Sequence, residues 1–160
     1  MCMRCHGMTD EEVREDVLAK IERFGWTLCS VEGGGGRLPF TYTIGLTRYH
    51  GHPELVVSGL DQFDAASVLN DLGARVRAGE RLEPGQVVPY EGTSHRSVMV
   101  RVTSPEKLVL AQEIYRMPGA RPVPALQVIW SDHAGAWPWQ VDARPRGQEL
   151  LGRPQHLRRR

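Results

Sequence analysis

Two groups of residues in this chain have the types and spacing to do chemistry. The first is Cys2-Met3-Arg4-Cys5-His6. Two thiolates with two residues between them can chelate one zinc or iron ion, and a tetrahedral site then needs two more ligands. His6, His50 and His52 are the nearest candidates by type, with Cys29 in reserve. The plain alternative is a chain terminus whose thiols engage nothing. The same run fits the spacing of a c-type haem attachment site. That reading requires export, and no export signal precedes it. A redox dithiol normally opens a helix after a strand, which is not the setting here.

The second group is His50-Gly51-His52-Pro53-Glu54. His52 and Glu54 could serve as a general base and its orienting carboxylate, and Asp132 with His133 forms a similar pair. Neither pair comes with a visible nucleophile. The bland reading is that His50 and His52 cap a turn and that Glu54 is solvated. Trp130, Trp137 and Trp139 cluster later, and Pro138 holds two of the indoles in an extended segment. They either close the core or line a groove for a flat ligand or a peptide.

These residues depend on the elements around them. Phe40–Leu46 alternates as a strand, Leu55–Ser58 is a β-branched run, and Gly51 and Pro53 punctuate the turn between. Thr9 and Glu12 form a capping box for a helix whose Val13, Val17, Leu18, Ile21 and Phe24 share a stripe. Gly25 is placed to end that helix, and Trp26–Val31 reads as a strand. Gly33-Gly34-Gly35-Gly36 feeds a strand rather than a helix, so it reads as a flexible linker and not as a phosphate loop. A second helix is expected over about 61–77, with Phe63, Ala66, Leu69 and Leu72 inward. Its start offers backbone amides to an anion. Strands follow at Val87–Tyr90 and Ser97–Thr103. Ser104-Pro105-Glu106 starts a third helix containing Leu108, Val109, Gln112 and Tyr115. Ala125–Trp130 is a last apolar strand.

The order is helix, three strands, helix, two strands, helix, strand. It predicts a single α+β domain, with a mostly antiparallel sheet of about six strands and three helices packed on it. The expected divisions are a cysteine-containing leader at 1–8, the domain at 9–143 and a basic, disordered tail at 144–160.

Bulk properties narrow the function classes. The 160 residues are 41% hydrophobic and 24% charged, with a formal net charge of +1. Such a chain can bury a core without disulfides, and its charge argues against a nucleic-acid partner. Arg158-Arg159-Arg160 is too short a run for a lipid-binding patch. No segment approaches the ~20 apolar residues of a membrane span, and no apolar leader stands at the start. The expectation is a cytoplasmic protein whose three cysteines are reduced thiols or ligands.

Tyr42-Thr43-Ile44-Gly45-Leu46, Gly51-His52-Pro53-Glu54-Leu55, Leu69-Asn70-Asp71-Leu72 and Gln127-Val128-Ile129-Trp130, continuing through Asp132, Gly135 and Trp137-Pro138-Trp139, resemble an uncharacterised bacterial family, domain of unknown function 4262. The N-terminal Cys-x-x-Cys also looks like the family's start, so the resemblance reaches to about Gly152. It implies a small soluble bacterial domain and brings no activity.

Two function classes therefore stay open. One is a metal- or small-ligand-binding domain using Cys2, Cys5, His50 and His52, with zinc or iron as candidate metals and the tryptophans walling a pocket. The other is a non-catalytic interaction module using the Trp-Pro-Trp strip. The strand rhythm from Tyr42 is also similar to that of flavin-binding split barrels, an analogy of pattern alone.

Overall fold

The computed structural model describes residues 7–140 and 147–154. In chain order the elements are α1 (Asp10–Phe24), β1 (Thr27–Val31), β2 (Phe40–Ile44), β3 (Glu54–Ser58), α2 (Gln62–Arg77), β4 (Val87–Pro89), β5 (Arg96–Arg101), α3 (Val109–Tyr115) and β6 (Ala125–Trp130). Single 3-10 turns at Leu46–Arg48 and Pro105–Lys107 precede β3 and α3. The strands form one open sheet in the order β1-β2-β3-β6-β5-β4. All neighbours are antiparallel except β3 and β6. This is the expected α+β domain. Among the described residues the sheet does not close on itself, β1 and β4 being its edges, unlike the barrels of the flavin analogy.

Both faces of the sheet are covered. On one, Leu69, Leu72 and Val76 of α2 pack against Leu55, Val57, Met99, Leu126 and Val128. On the other, Val13, Val17 and Ile21 of α1 and Ala111 of α3 pack against Tyr42, Ile44 and Val56. The alternation of side chains along each strand delivers one set to each helix layer.

Helix α1 begins at the expected capping box, with both reciprocal bonds present, and ends at Gly25 in the left-handed conformation. Its buried stripe is narrower than predicted. Leu18 is 41% exposed and Phe24 55% exposed. Leu18 is turned about 100° from Val17 by the helical pitch, and Phe24 closes the last turn beside the edge strand β1.

Helix α2 differs in a similar way. Ala65, Leu69, Leu72, Gly73 and Val76 are buried, while Phe63, expected inward, is 90% exposed. The anion site expected at its start is filled from within: the Asp61 carboxylate accepts from the amides of Phe63 and Asp64. Gly73 is needed for close approach. A Cβ there would stand 2.8 Å from the Trp26 ring, whose Nε1 donates to Asn70 Oδ1 at 3.0 Å.

Two further expectations change. The glycine run is not a flexible linker. Gly34 and Arg37 exchange backbone bonds of 3.0 and 3.1 Å around Gly35 and Gly36, which both have positive φ. That is a tight two-residue reversal, which the mirror-image turns of hairpins require. At the other end, residues 147–154 are not tail. The Gln127 side chain donates to Glu149 O at 2.6 Å and accepts from Leu151 N at 2.7 Å, and Ser58 Oγ accepts from Glu149 N at 2.9 Å. The segment is strapped across the β3–β6 seam by side chains that imitate a strand ladder. Residues 144–146 and 155–160 of the expected tail, and most of the expected leader, lie outside the described residues.

Candidate functional site

The turn between β2 and β3 has the geometry of a lock. Glu54 is fully buried, not solvated. Its Oε2 accepts from Thr43 Oγ1 at 2.6 Å and Leu46 N at 3.2 Å. Its Oε1 accepts from Gly45 N at 2.9 Å, Thr47 N at 3.1 Å and Thr47 Oγ1 at 2.9 Å. Five donors converge on one carboxyl group and hold the 3-10 turn on top of β3. Burial pushes the Glu54 carboxyl above its ordinary range, and these donors, the Thr43 hydroxyl first, pull it back.

His52 is also buried, 2% exposed. Its Nδ1 lies 2.7 Å from Pro53 O, and its Nε2 accepts from Leu82 N at 3.0 Å. An amide donor at Nε2 and a carbonyl acceptor at Nδ1 fit one species only: the neutral ring protonated at Nδ1. Desolvation accordingly lowers its pKa. Both ring nitrogens are engaged, so His52 has no lone pair to offer a metal or a substrate proton. It is not paired with Glu54, whose oxygens face the opposite side of the turn.

The other predicted site residues are dispersed. His50 is exposed, with a positive φ of 55°. Asp132 Oδ1 accepts from Ala134 N and Ala136 N, so this carboxylate shapes its own turn, and His133 is exposed. Cys2, Cys5 and His6 lie outside the described residues. Cys29 is half-buried beside the Tyr42 hydroxyl. Among the described residues no group of three or more His, Cys, Asp or Glu side chains is placed to hold a metal ion.

The tryptophans do come together. Trp137 and Trp139 stack with centroids 5.8 Å apart at 23°. The Arg96 guanidinium sits 4.6 Å over the Trp137 ring and is fixed there by two bonds to Gly135 O. The pair packs on Val98, Val100 and Ile129. Together with Gly85, Val87, Met99, Gln140 and Pro154, the indoles line a groove of about 440 Å³ over β4 and β5. Among the described residues no charged side chain lines it. Trp130 stands apart, donating from Nε1 to Ser58 O at 3.1 Å on the opposite face.

A family model described as a domain of unknown function, DUF4262, matches residues 20–144. The chain belongs to the DUF4262 family. No curated protein and no solved structure matches it. The DUF4262 match takes in the His52–Glu54 lock and both groove tryptophans. It does not reach the N-terminal Cys-x-x-Cys, which had seemed part of the family's start. Among the described residues no helix of this DUF4262 domain is long and apolar enough to cross a membrane.

Several residues that organise the site were not singled out in the sequence. Thr43 and Thr47 flank Gly45 and supply both hydroxyls to Glu54, and two hydroxyls bracketing a strand-ending glycine were the available signal. Gln127 is a lone polar residue inside the apolar strand Ala125–Trp130, and that exception marks the strap. Leu82, which anchors His52 through its amide, gave no signal, because backbone donors are anonymous in a sequence.

Proposed function

We propose that this DUF4262 chain is a non-catalytic binding domain whose ligand is a small, uncharged, flat molecule held in the Trp137–Trp139 groove. One observation carries the reading: two stacked indoles, packed on Val98 and Val100, line a groove of about 440 Å³ whose described lining residues are all uncharged. Ligand pockets typically span ~300–1,000 Å³, with mostly apolar walls and few polar groups. Here the polar group is the Gln140 carboxamide. Its oxygen accepts from Trp137 N at 2.6 Å, which leaves the amide nitrogen to donate. A non-catalytic role is supported by His52, Glu54 and Asp132, whose side chains are all engaged in bonds within the fold.

Ligand-observed NMR with indole, adenine and riboflavin as probes tests this. Saturation transfer to at least one probe from the wild-type chain, weakened tenfold or more by Trp139→Ala, is the expected result. Equal transfer to all three in both proteins, or none, would overturn it.

A further inference from the structure

The two edges of the sheet are unlike. Edge strand β4 has three residues and ends in Pro89, which cannot donate to a neighbouring strand. Edge strand β1, Thr27-Leu28-Cys29-Ser30-Val31, has five residues, none of them charged and none proline. Natural edges are usually blunted by short length, proline, lysine or a bulge, and β1 carries none of these. All five of its residues are half-exposed, although its other side is fully paired to β2 from Thr27↔Ile44 to Val31↔Phe40.

A cleft of about 480 Å³ lies along this edge, lined by Lys20, Phe24, Trp26, Thr27, Leu28 and Asn70. It wraps from α1 on one face to α2 on the other. Phe24, 55% exposed, projects into it. The edge thus offers backbone hydrogen-bonding groups beside an apolar cleft, which is what an added strand uses.

We infer that β1 is a self-association edge, which pairs antiparallel with β1 of a second copy of the chain to make a continuous twelve-stranded sheet. The strand is its own complement. A two-fold axis at Cys29 sets Thr27 against Val31 and Leu28 against Ser30 of the other copy, neutral residues against neutral residues throughout. The formal net charge of +1 adds little repulsion between copies. Phe24 of each copy then gains cover from the incoming strand.

Sedimentation of the full-length chain carrying Cys2→Ser and Cys5→Ser, under reducing conditions that also keep Cys29 a thiol, tests this without disulfide artefacts. The expected result is a weight-average mass that rises from one chain toward two between roughly 10 and 500 µM, as a weak interface of small area requires. Ser30→Lys places like charges one residue to either side of the axis, and Thr27→Lys, separately, sets a lysine against the apolar Val31 of the other copy. Each is expected to shift the midpoint at least tenfold to higher concentration while leaving the circular dichroism spectrum unchanged. A chain monomeric throughout that range, or a dimer untouched by whichever of the two variants remains folded, would overturn the inference.

Discussion

Thr43 and Glu54 are joined by the shortest bond of the β2–β3 turn, Oγ1 to Oε2 at 2.6 Å. The same hydroxyl accepts from Leu55 N at 2.9 Å. Thr43 therefore relays a strand amide onto a buried carboxyl group, and Gly45, Leu46 and Thr47 complete the set of donors. Carboxylates are acceptor-only, so the arrangement tolerates no group that brings hydrogens of its own.

Replacement of Glu54 by Gln tests that point. An amide nitrogen at either oxygen position meets at least two donors. With about 1–3 kcal/mol for each buried group left unsatisfied, the loss is about 3 kcal/mol. Thr43→Val removes one donor, strands Leu55 N and costs about 2 kcal/mol. Urea denaturation should rank wild type above Thr43→Val above Glu54→Gln. A near-neutral Glu54→Gln would mean that the carboxyl is already protonated in the fold.

The buried imidazole gives stability a pH dependence of defined sign. His52 titrates below its ordinary value in the folded chain, chiefly because it is desolvated. Below pH ~6.5 the unfolded chain binds a proton that the folded chain refuses, so stability falls as pH drops from ~6.5 through the folded pKa. Glu54, raised in the fold, contributes with the opposite sign: stability is present at low pH and lost as pH rises above the ordinary carboxyl value. The comparison must therefore be between variants. His52→Gln keeps an acceptor within reach of Leu82 N but does not titrate. Its stability should be flatter than that of wild type between pH 7.5 and 5.5. Parallel curves would contradict the burial of a neutral His52.

The strap over the β3–β6 seam rests on one glycine. Gly59 has φ +81°, and a Cβ at that position would collide with the carbonyl of Gly147. Gly59→Ala therefore strains the backbone and lifts the strap, at a cost of about 1–3 kcal/mol. Limited proteolysis should then cut between 147 and 153 several-fold faster than in wild type. An unchanged digestion pattern would show that the strap is not held by this contact.

Much of the fold was legible because it follows from periodicity and capping. The Thr9 box, the Ala125–Trp130 run and the order of helices and strands needed only local pattern. Errors arose where tertiary geometry decides. Phe63 matched the α2 stripe by spacing but lies at the helix start, beyond the sheet. The four glycines looked flexible because their composition hides the paired Gly34 and Arg37 that close the turn. The site was less legible. His52 and Glu54 share a turn in sequence, yet one faces Leu82 and the other Gly45: residues two apart share a face only within a regular strand, and His52 lies in the turn before β3 begins at Glu54. Trp137 and Trp139 were visible as a pair, but the Arg96 guanidinium that covers Trp137 comes from the distant strand β5.

The central claim is that the Trp137–Trp139 stack is a ligand seat. The most direct measurement is the shift of the four tryptophan indole N–H resonances as indole is titrated into the labelled chain. The account predicts saturable movement of the Trp137 and Trp139 signals, with Trp26, bonded to Asn70, and Trp130, bonded to Ser58, remaining still. Movement of all four together, or of none, would contradict it.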